Sequence, residues 1–377
     1  MPRGAAAGLL SWRNRLLSSA RFQRWVARTP LLRLVGRRRA RALFDLCAGF
    51  IHSQVLYAGV RSGAIEALRD GPLRSAQLRA RTGFSAQGFE LWLDAARGLG
   101  LVESRRGEVH ALGPLGAALA GNPAVLTMIE HQALFYADLH DPLALLRGTA
   151  PAGRLAAYWA YARNDAAAAL PAAAVADYSA LMSATQPLVA GELLDAYPFR
   201  RHRVLLDVGG GEGAFLCAAA GAAPQLQLML FDLPEVAARA RQRLAEAGLA
   251  GRSRVIGGDF RTDRLPAGAD LVTLVRVVHD HDDESALRLL RAVHVALPAG
   301  GRVVIAEPMR AVPGSLAAAD AYLGFYLLAM RQGRVRSVEE LSALLAAAGF
   351  RACHRHHTPR PWQCAVVSAA ATGVNRT

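Results

Sequence analysis

The chain has 377 residues, 53% of them hydrophobic and 20% charged, enough to bury a large core and to build more than one domain. Every basic side chain is arginine, 44 against 30 acids, for a net charge of +14. No run approaches 18 consecutive strongly apolar residues, so no membrane-spanning helix is expected, and the four cysteines lack the spacing of a structural zinc site or a disulfide framework.

The positive charge sits at one end. Eleven arginines lie between Arg3 and Arg41, while the first acid is Asp45, which leaves the rest of the chain at only +3. In this arm, residues 1–42, Leu9, Trp12 and Leu16 recur at helical spacing, as do Phe22 and Trp25, with arginines between them. That is the pattern of an amphipathic helix lying in a membrane interface, its aromatic rings at headgroup depth and its guanidinium groups on anionic lipid. A solvated arm, a nucleic-acid patch and a transit peptide are the alternatives.

From Leu43 to Leu68 the apolar spacing is helical, until RDGP at Arg69 to Pro72 stops it. A short helix over SAQLRARTG, a longer one over SAQGFELWLDAARGLG, and two short strands around the turn at Arg105 to Gly107 complete a winged-helix pattern over residues 43–121. The helix that would enter a DNA groove, Phe89 to Leu99, offers only Arg97 among leucines, tryptophan, alanines and acids. Groove reading needs several basic and amide side chains, so dimerisation ranks above DNA binding and no nucleic-acid partner is expected. Residues 122–196 read as a helical connector with breaks at Asp141-Pro142, Thr149 to Gly153 and Pro171.

After Tyr197 the period changes. RVLLDV, LQLMLFD, RVIGGD, DLVTLVRVV, GGRVVIAE and WQCAVVSA are short runs rich in Val, Leu and Ile, separated by helical segments such as PEVAARARQRLAEAGL. Alternation of apolar strands with helices predicts an α/β domain over residues 197–377, a mostly parallel sheet covered on both faces, with its ligand at the carboxyl ends of the strands. Cys353 and Cys364 are candidates for facing positions across a C-terminal hairpin, with two free buried thiols as the favoured reading and a reducing cytoplasm as the setting.

The first strand end is LLDVGGGEGAF. Gly209, Gly211 and Gly213 allow a tight turn and close approach to a ligand, and the helix that follows presents free N–H groups. The next strand ends at Asp232, 21 residues after Gly211, followed by Leu233; a carboxylate there can accept both hydroxyls of a ribose. NAD and S-adenosylmethionine (SAM) both fit. Asp207, two residues before the first glycine, suits an ammonium-bearing amino-acid tail and would repel a pyrophosphate, which favours SAM. At the third end, Asp259 and Phe260 can clamp the edge and face of an adenine.

VRVVHDHDDES, Val275 to Ser285, joins a strand to a helix. Asp282 can cap that helix, with Asp283 and Glu284 in its first turn. His279 and His281 flank one residue and tend to diverge, so no metal site is expected. His279 at the strand end, with Glu307 at the end of GGRVVIAE in the same crevice, can form an imidazole held at one nitrogen and poised as a base at the other. A base beside a methyl donor suggests O-methylation. The apolar helices LLDAY, AAADAYLGFYLLAM and MIEHQALFYADL can line a hydrophobic pocket, or simply fill a core.

LLDVGGGEG, FDLPEV, GGDF, VVHDHDDE, VVIAE and RSVEELSALLAAAGF, in this order, resemble the successive motifs of the SAM-dependent O-methyltransferases typified by plant caffeic acid and flavonoid enzymes and their bacterial relatives. The resemblance covers Leu43 to the C-terminus. It implies a Rossmann-like class I methyltransferase domain, a winged-helix dimerisation domain and hence a homodimer, His279 as base with Glu307 as its partner, Asp232 on the ribose, Asp259 and Phe260 on the adenine, and Tyr178 and Met182 facing the substrate. The family's usual tryptophan after HD is His281 here, its lysine four residues before the histidine is Val275, and the second acid that flanks the histidine in plant members falls at Val335, which leaves one orienting carboxylate. RRRARALFDLCAGFIHSQVL, Arg37 to Leu56, is similar to the carotenoid hydroxyl O-methyltransferases of purple photosynthetic bacteria, of the demethylspheroidene and hydroxyneurosporene type. That likeness implies a hydrophobic hydroxycarotenoid as substrate and a cytoplasmic enzyme in peripheral contact with the inner or intracytoplasmic membrane. The alternatives are a methyltransferase of phenols, quinones or polyketides and a winged-helix regulator that senses SAM or a metabolite.

Overall fold

The structure, a computed structural model, describes residues 3–159 and 181–373. Two compact units divide the chain, Met1–Gly121 and Asn122–Thr377.

In the first unit, helices α1 (Arg3–Ser18), α2 (Ala20–Arg28), α3 (Leu32–Arg61) and α4 (Ala64–Arg69) precede β1 (Leu73–Arg74), α5 (Ser75–Thr82), α6 (Ala86–Gly98), β2 (Val102–Arg105), β3 (Val109–Leu112) and α7 (Pro114–Ala120). The strands form an antiparallel sheet in the order β1-β3-β2. No proline interrupts Leu32–Arg61, so the boundary expected after residue 42 falls inside one unbroken helix. The break comes instead at Gly63, whose φ of 74° no helix accommodates, so the helical run expected from Leu43 to Leu68 is two helices. Trp92 of α6 anchors α3: its indole Nε1 donates to the Val55 carbonyl at 3.1 Å, and Gly59 leaves room for the ring. Around it Leu68, Leu78, Phe89, Leu93 and Leu101 close the core.

Earlier in α3, Leu43, Phe44, Leu46, Phe50 and Ile51 are exposed, as are Leu9, Leu10, Trp12 and Trp25 in α1 and α2. By length and composition α3 is long and apolar enough to cross a bilayer, a test that a core helix or a signal sequence also passes, so it does not overturn the expectation of no membrane span. Its charges, Arg33, Arg37, Arg38, Arg39, Arg41 and Asp45, fall in the first half of the helix, and Arg61 ends it.

In the second unit a seven-stranded sheet runs in the order β6-β5-β4-β7-β8-β10-β9, built from β4 (Val204–Val208), β5 (Gln227–Asp232), β6 (Ser253–Gly257), β7 (Leu271–Val275), β8 (Arg302–Glu307), β9 (Phe350–His356) and β10 (Ala365–Ala371). The first five are parallel; β10 is antiparallel to both β8 and β9. Adjacent residues of one strand feed opposite cores: Leu206, Val272 and Val303 on one face, Leu205, Leu271 and Val304 on the other. Burial on both faces explains the continuous apolar runs. The order of connection reverses between β4 and β7, which places a crevice at their carboxyl ends. The β9–β10 register pairs Ser368 with His354 and Val366 with His356, so Cys353 and Cys364 are not cross-strand partners. Cys364 is buried, whereas Cys353 lies exposed on the outer strand with its Sγ 3.0 Å from Ser342 Oγ, which corrects the reading of two buried thiols.

Candidate active site

The turn after β4 passes so close to its neighbours that side chains have no room. A Cβ on Gly209, whose φ is 69°, would lie 2.8 Å from a methyl of Val277, and one on Gly210 would lie 2.7 Å from Asp207 Oδ2. The loop closes on β5 through the Gly211 N–H, which donates to Asp232 Oδ2 at 2.8 Å, while the Leu233 N–H after β5 donates to Oδ1 at 2.7 Å. Asp207, Gly209, Gly211, Asp232, Leu233, Asp259 and Phe260 all line one cavity here. Gly213 does not; it sits behind as the N-cap of the helix Ala214–Ala222, with φ 80°. The Asp259 carboxylate is held by Arg261, whose Nε and Nη2 reach its oxygens at 2.6 to 3.0 Å, a partner that sequence reading missed.

Asp207 is the most unusual acid in this cavity. Thr273 Oγ1 donates to its Oδ1 at 2.7 Å, while Oδ2 is buried without a hydrogen-bond partner. Burial pushes its carboxyl pKa up to about 7; the Thr273 hydrogen bond opposes the shift and the charge of Asp232 adds to it. A buried carboxylate oxygen left open at a cavity wall is matched by a cationic donor such as an ammonium group.

β7 leads into the chemistry. Arg276 follows it with φ 58°, a left-handed conformation that costs a long side chain roughly 1 to 2 kcal/mol, while its amide still donates to Ala306 O at 2.9 Å. A single 3-10 turn, Val278–Asp280, then carries His279. Glu307 at the end of β8 is buried, and its Oε2 accepts both the backbone N–H of His279 at 3.0 Å and the imidazole Nδ1 at 3.1 Å. This bond fixes the Nδ1–H tautomer and leaves Nε2 as the basic nitrogen. Asp280 Oδ1 lies 3.2 Å from Nε2, close enough for charge attraction but without hydrogen-bond geometry. The single carboxylate expected at His279 is therefore joined by a second, supplied by its own chain neighbour, whereas Val335 packs among aromatic residues around Tyr326. Burial pushes the His279 pKa down, but Asp280 and Glu307 together outweigh it and hold the imidazole above 6.5. His281 turns away, its ring 5.3 Å from that of Phe260, and burial lowers its pKa to about 4, so it is neutral. Asp282 caps the next helix, its Oδ1 accepting from Ser285 N at 2.7 Å. Among the described residues no group of three or more histidines, cysteines or acids is arranged to hold a metal.

A second cavity opens beside His279. Its walls are Trp159, Leu323, Tyr326, Leu327, Met330 and Trp362, among others, so the helix Ala317–Met330 does line a hydrophobic pocket. The LLDAY helix contributes Leu188 and Val189 from its first turn, while Leu193 and Tyr197 belong to the core. Met182, Arg276 and Asp280 are the residues that line both cavities, among those described, and mark where the two meet. Tyr178 lies outside the described residues.

A family model for an O-methyltransferase domain matches residues 156–351, and one for an O-methyltransferase dimerisation domain matches residues 44–122. The chain belongs to the O-methyltransferase family. It is 44% identical to a demethylspheroidene O-methyltransferase of Cereibacter sphaeroides, over 98% of this chain and 97% of that one. It is 35% identical to an acetylserotonin O-methyltransferase of Mus musculus, over 82% and 83% of the two chains. Among solved structures it is similar to human N-acetylserotonin methyltransferase in complex with SAM, with a TM-score of 0.73 and 25% identity over 89% of this chain and 98% of that one.

The walls of the first cavity are compatible with a SAM donor: the unpaired Asp207 oxygen would meet the ammonium group, Asp232 the ribose, and Phe260 beside neutral His281 the adenine. Because the Asp207 pKa is raised to about 7, its carboxylate forms only as pH rises through that value. SAM affinity measured by calorimetry is therefore expected to tighten as pH rises from about 5.5 to about 7.5, before the ligand's α-amino group deprotonates near 8. In Asp207→Asn the affinity is weaker and this rise is absent; a rise that persists in the variant contradicts the assignment.

Proposed function

We propose that this O-methyltransferase moves the methyl group of SAM to the tertiary hydroxyl of an acyclic hydroxycarotenoid, with His279 as general base and Glu307 as its orienting partner. The observation that carries the reading is the His279–Glu307 pair, with His279 in the wall of the apolar cavity and its neighbour Asp280 lining both cavities. The near full-length similarity to a demethylspheroidene O-methyltransferase supports the carotenoid substrate.

SAM supplies a methyl group on a cationic sulfur, ready for in-line attack. The chain's residues supply the rest. Asp207 and Asp232 fix the donor, and the polar end of the second cavity, formed by Thr185, Arg276, His279 and Asp280, draws the hydroxyl towards it while the apolar walls take the polyene. An aliphatic alcohol is about as weak an acid as water, with a pKa of about 16. Complete deprotonation by a base near 6.5 would be uphill by roughly 13 kcal/mol. The proton must therefore pass to His279 Nε2 while the methyl moves, and Glu307 stabilises the imidazolium that results. Alignment of oxygen, methyl and sulfur can supply about 7 to 11 kcal/mol of the remaining barrier reduction.

The matched dimerisation domain supports a homodimer. The exposed Trp12, Trp25, Leu9 and Leu10 among arginines support peripheral contact with an anionic bilayer, where such a substrate resides.

Methyl transfer from labelled SAM to 1-hydroxylated acyclic carotenoids in liposomes, beside a catechol control, tests the reaction. Wild type is expected to methylate the carotenoid, and His279→Ala to lose about 10²- to 10⁴-fold in kcat; turnover of catechol alone would leave the mechanism and remove the carotenoid. In vesicle sedimentation the full chain is expected on anionic but not neutral vesicles. Replacing Arg13, Arg15 and Arg21 by glutamine is expected to weaken that binding by about 1 kcal/mol each, and equal binding to both vesicle types would remove the membrane contact.

A further inference from the structure

The proposed reaction gives one polar side chain at the transfer point no part in the bond changes. Arg276 lines both cavities, together with Met182 and Asp280, and it is the one arginine in the lining of the second cavity among the described residues. Its surroundings there are otherwise mostly apolar, where a permanent cation is costly to keep. Its backbone is also strained: φ is 58° at a position where a turn alone would select glycine or asparagine. A strained residue with a long charged side chain, at the junction of two ligand cavities, points to use of that side chain.

The guanidinium is also held in place. Nη1 donates to Thr185 Oγ1 at 2.8 Å and Nη2 to the Met182 carbonyl at 2.9 Å, with Met182 Sδ at 3.3 Å. A fixed cation needs no reorganisation when charge develops beside it.

We propose that Arg276 is a catalytic residue that stabilises negative charge on the substrate oxygen during methyl transfer, an inference that rests on the methyl-transfer reading above. The substrate O–H bond breaks and its proton goes to His279 Nε2. The oxygen pair forms the C–O bond, the C–S bond breaks, and its electron pair stays on sulfur; no further reactant is needed. His279, paired with Glu307 and Asp280, is too weak a base to ionise an alcohol alone, so a cation facing the oxygen makes early proton departure less costly. The same cation repels the positive sulfonium of the donor, a repulsion relieved as the methyl leaves, and it opposes the imidazolium forming on His279, so its gain in the transition state lies with the charge on the substrate oxygen.

The test uses Arg276→Met and Arg276→Lys in the full chain, with kcat and KM for a tertiary hydroxyisoprenoid and for its analogue made more acidic by a trifluoromethyl group on the carbinol carbon. Arg276→Met is expected to lose about 10²- to 10³-fold in kcat on the ordinary alcohol, with a smaller loss on the acidic one and partial recovery in Arg276→Lys. By calorimetry, Arg276→Met is expected to bind SAM more tightly relative to S-adenosylhomocysteine, which lacks the positive charge. Equal losses on both alcohols with an unchanged binding ratio would overturn the proposal and leave Arg276 as a brace for Met182 and Thr185. Should Arg276→Met not fold, Arg276→Gln gives the same comparisons. Should wild type methylate phenols and no tertiary alcohol, the carotenoid reading fails by itself, and phenols of graded acidity put the same question to Arg276.

Discussion

The site depends on one buried carboxylate. Glu307 ends a central strand with its side chain 1% exposed, and a charge in that position is tolerated only when paired and hydrogen-bonded. Its Oε2 takes both the amide and the imidazole Nδ1 of His279, so one oxygen sets the backbone of the turn and the tautomer of the ring together. Position and tautomer of the imidazole thus follow from one electrostatic requirement at the end of β8, while Asp280 joins Glu307 in raising its pKa.

The turn is held from the other side as well. Arg336 is buried, and it donates from Nη1 to Val278 O at 2.9 Å and from Nη2 to His281 O at 2.8 Å while its Nε pairs with Asp283 at 2.9 Å. Arg334 N–H donates to His279 O at 2.8 Å, and at Gly333 a Cβ would fall 2.3 Å from that same oxygen. Two successive carbonyls of the turn, those of Val278 and His279, and that of His281 at its exit are therefore fixed by a segment some 55 positions later. Such rigidity suits a reaction in which alignment supplies much of the rate.

What the sequence made legible follows from where physical constraints are local. Gly209 and Gly211 report a loop with no room for Cβ atoms, Asp232 sits at a spacing fixed by the βαβ unit, and the Asp282 cap is a three-residue interaction. His279 and Glu307 could be paired because neighbouring parallel strands end in one crevice. Asp280 and Arg276 were hidden, since a left-handed residue after β7 changes which way the next side chains face and no propensity signals an arginine there. Asp280 carries no role in the sequence reading, yet it is buried against the imidazole, where its carboxyl pKa is raised. Long-range register decided Cys353, and α3 continues through the boundary drawn from charge because charge composition does not mark a helix end.

The central claim is that Asp280 and Glu307 together hold His279 above its ordinary pKa, and the pH dependence of kcat/KM in wild type and Glu307→Gln tests the Glu307 share most directly. His279 must be neutral to accept a proton, so wild type is expected to lose activity as pH falls through a value above 6.5. Asp280, Arg276 and His281 also face this imidazole, but removing the Glu307 charge takes away a raising influence, so the acid limb in Glu307→Gln should move to lower pH at a reduced maximum rate. A limb that stays in place in the variant would contradict the pairing of Glu307 with the base.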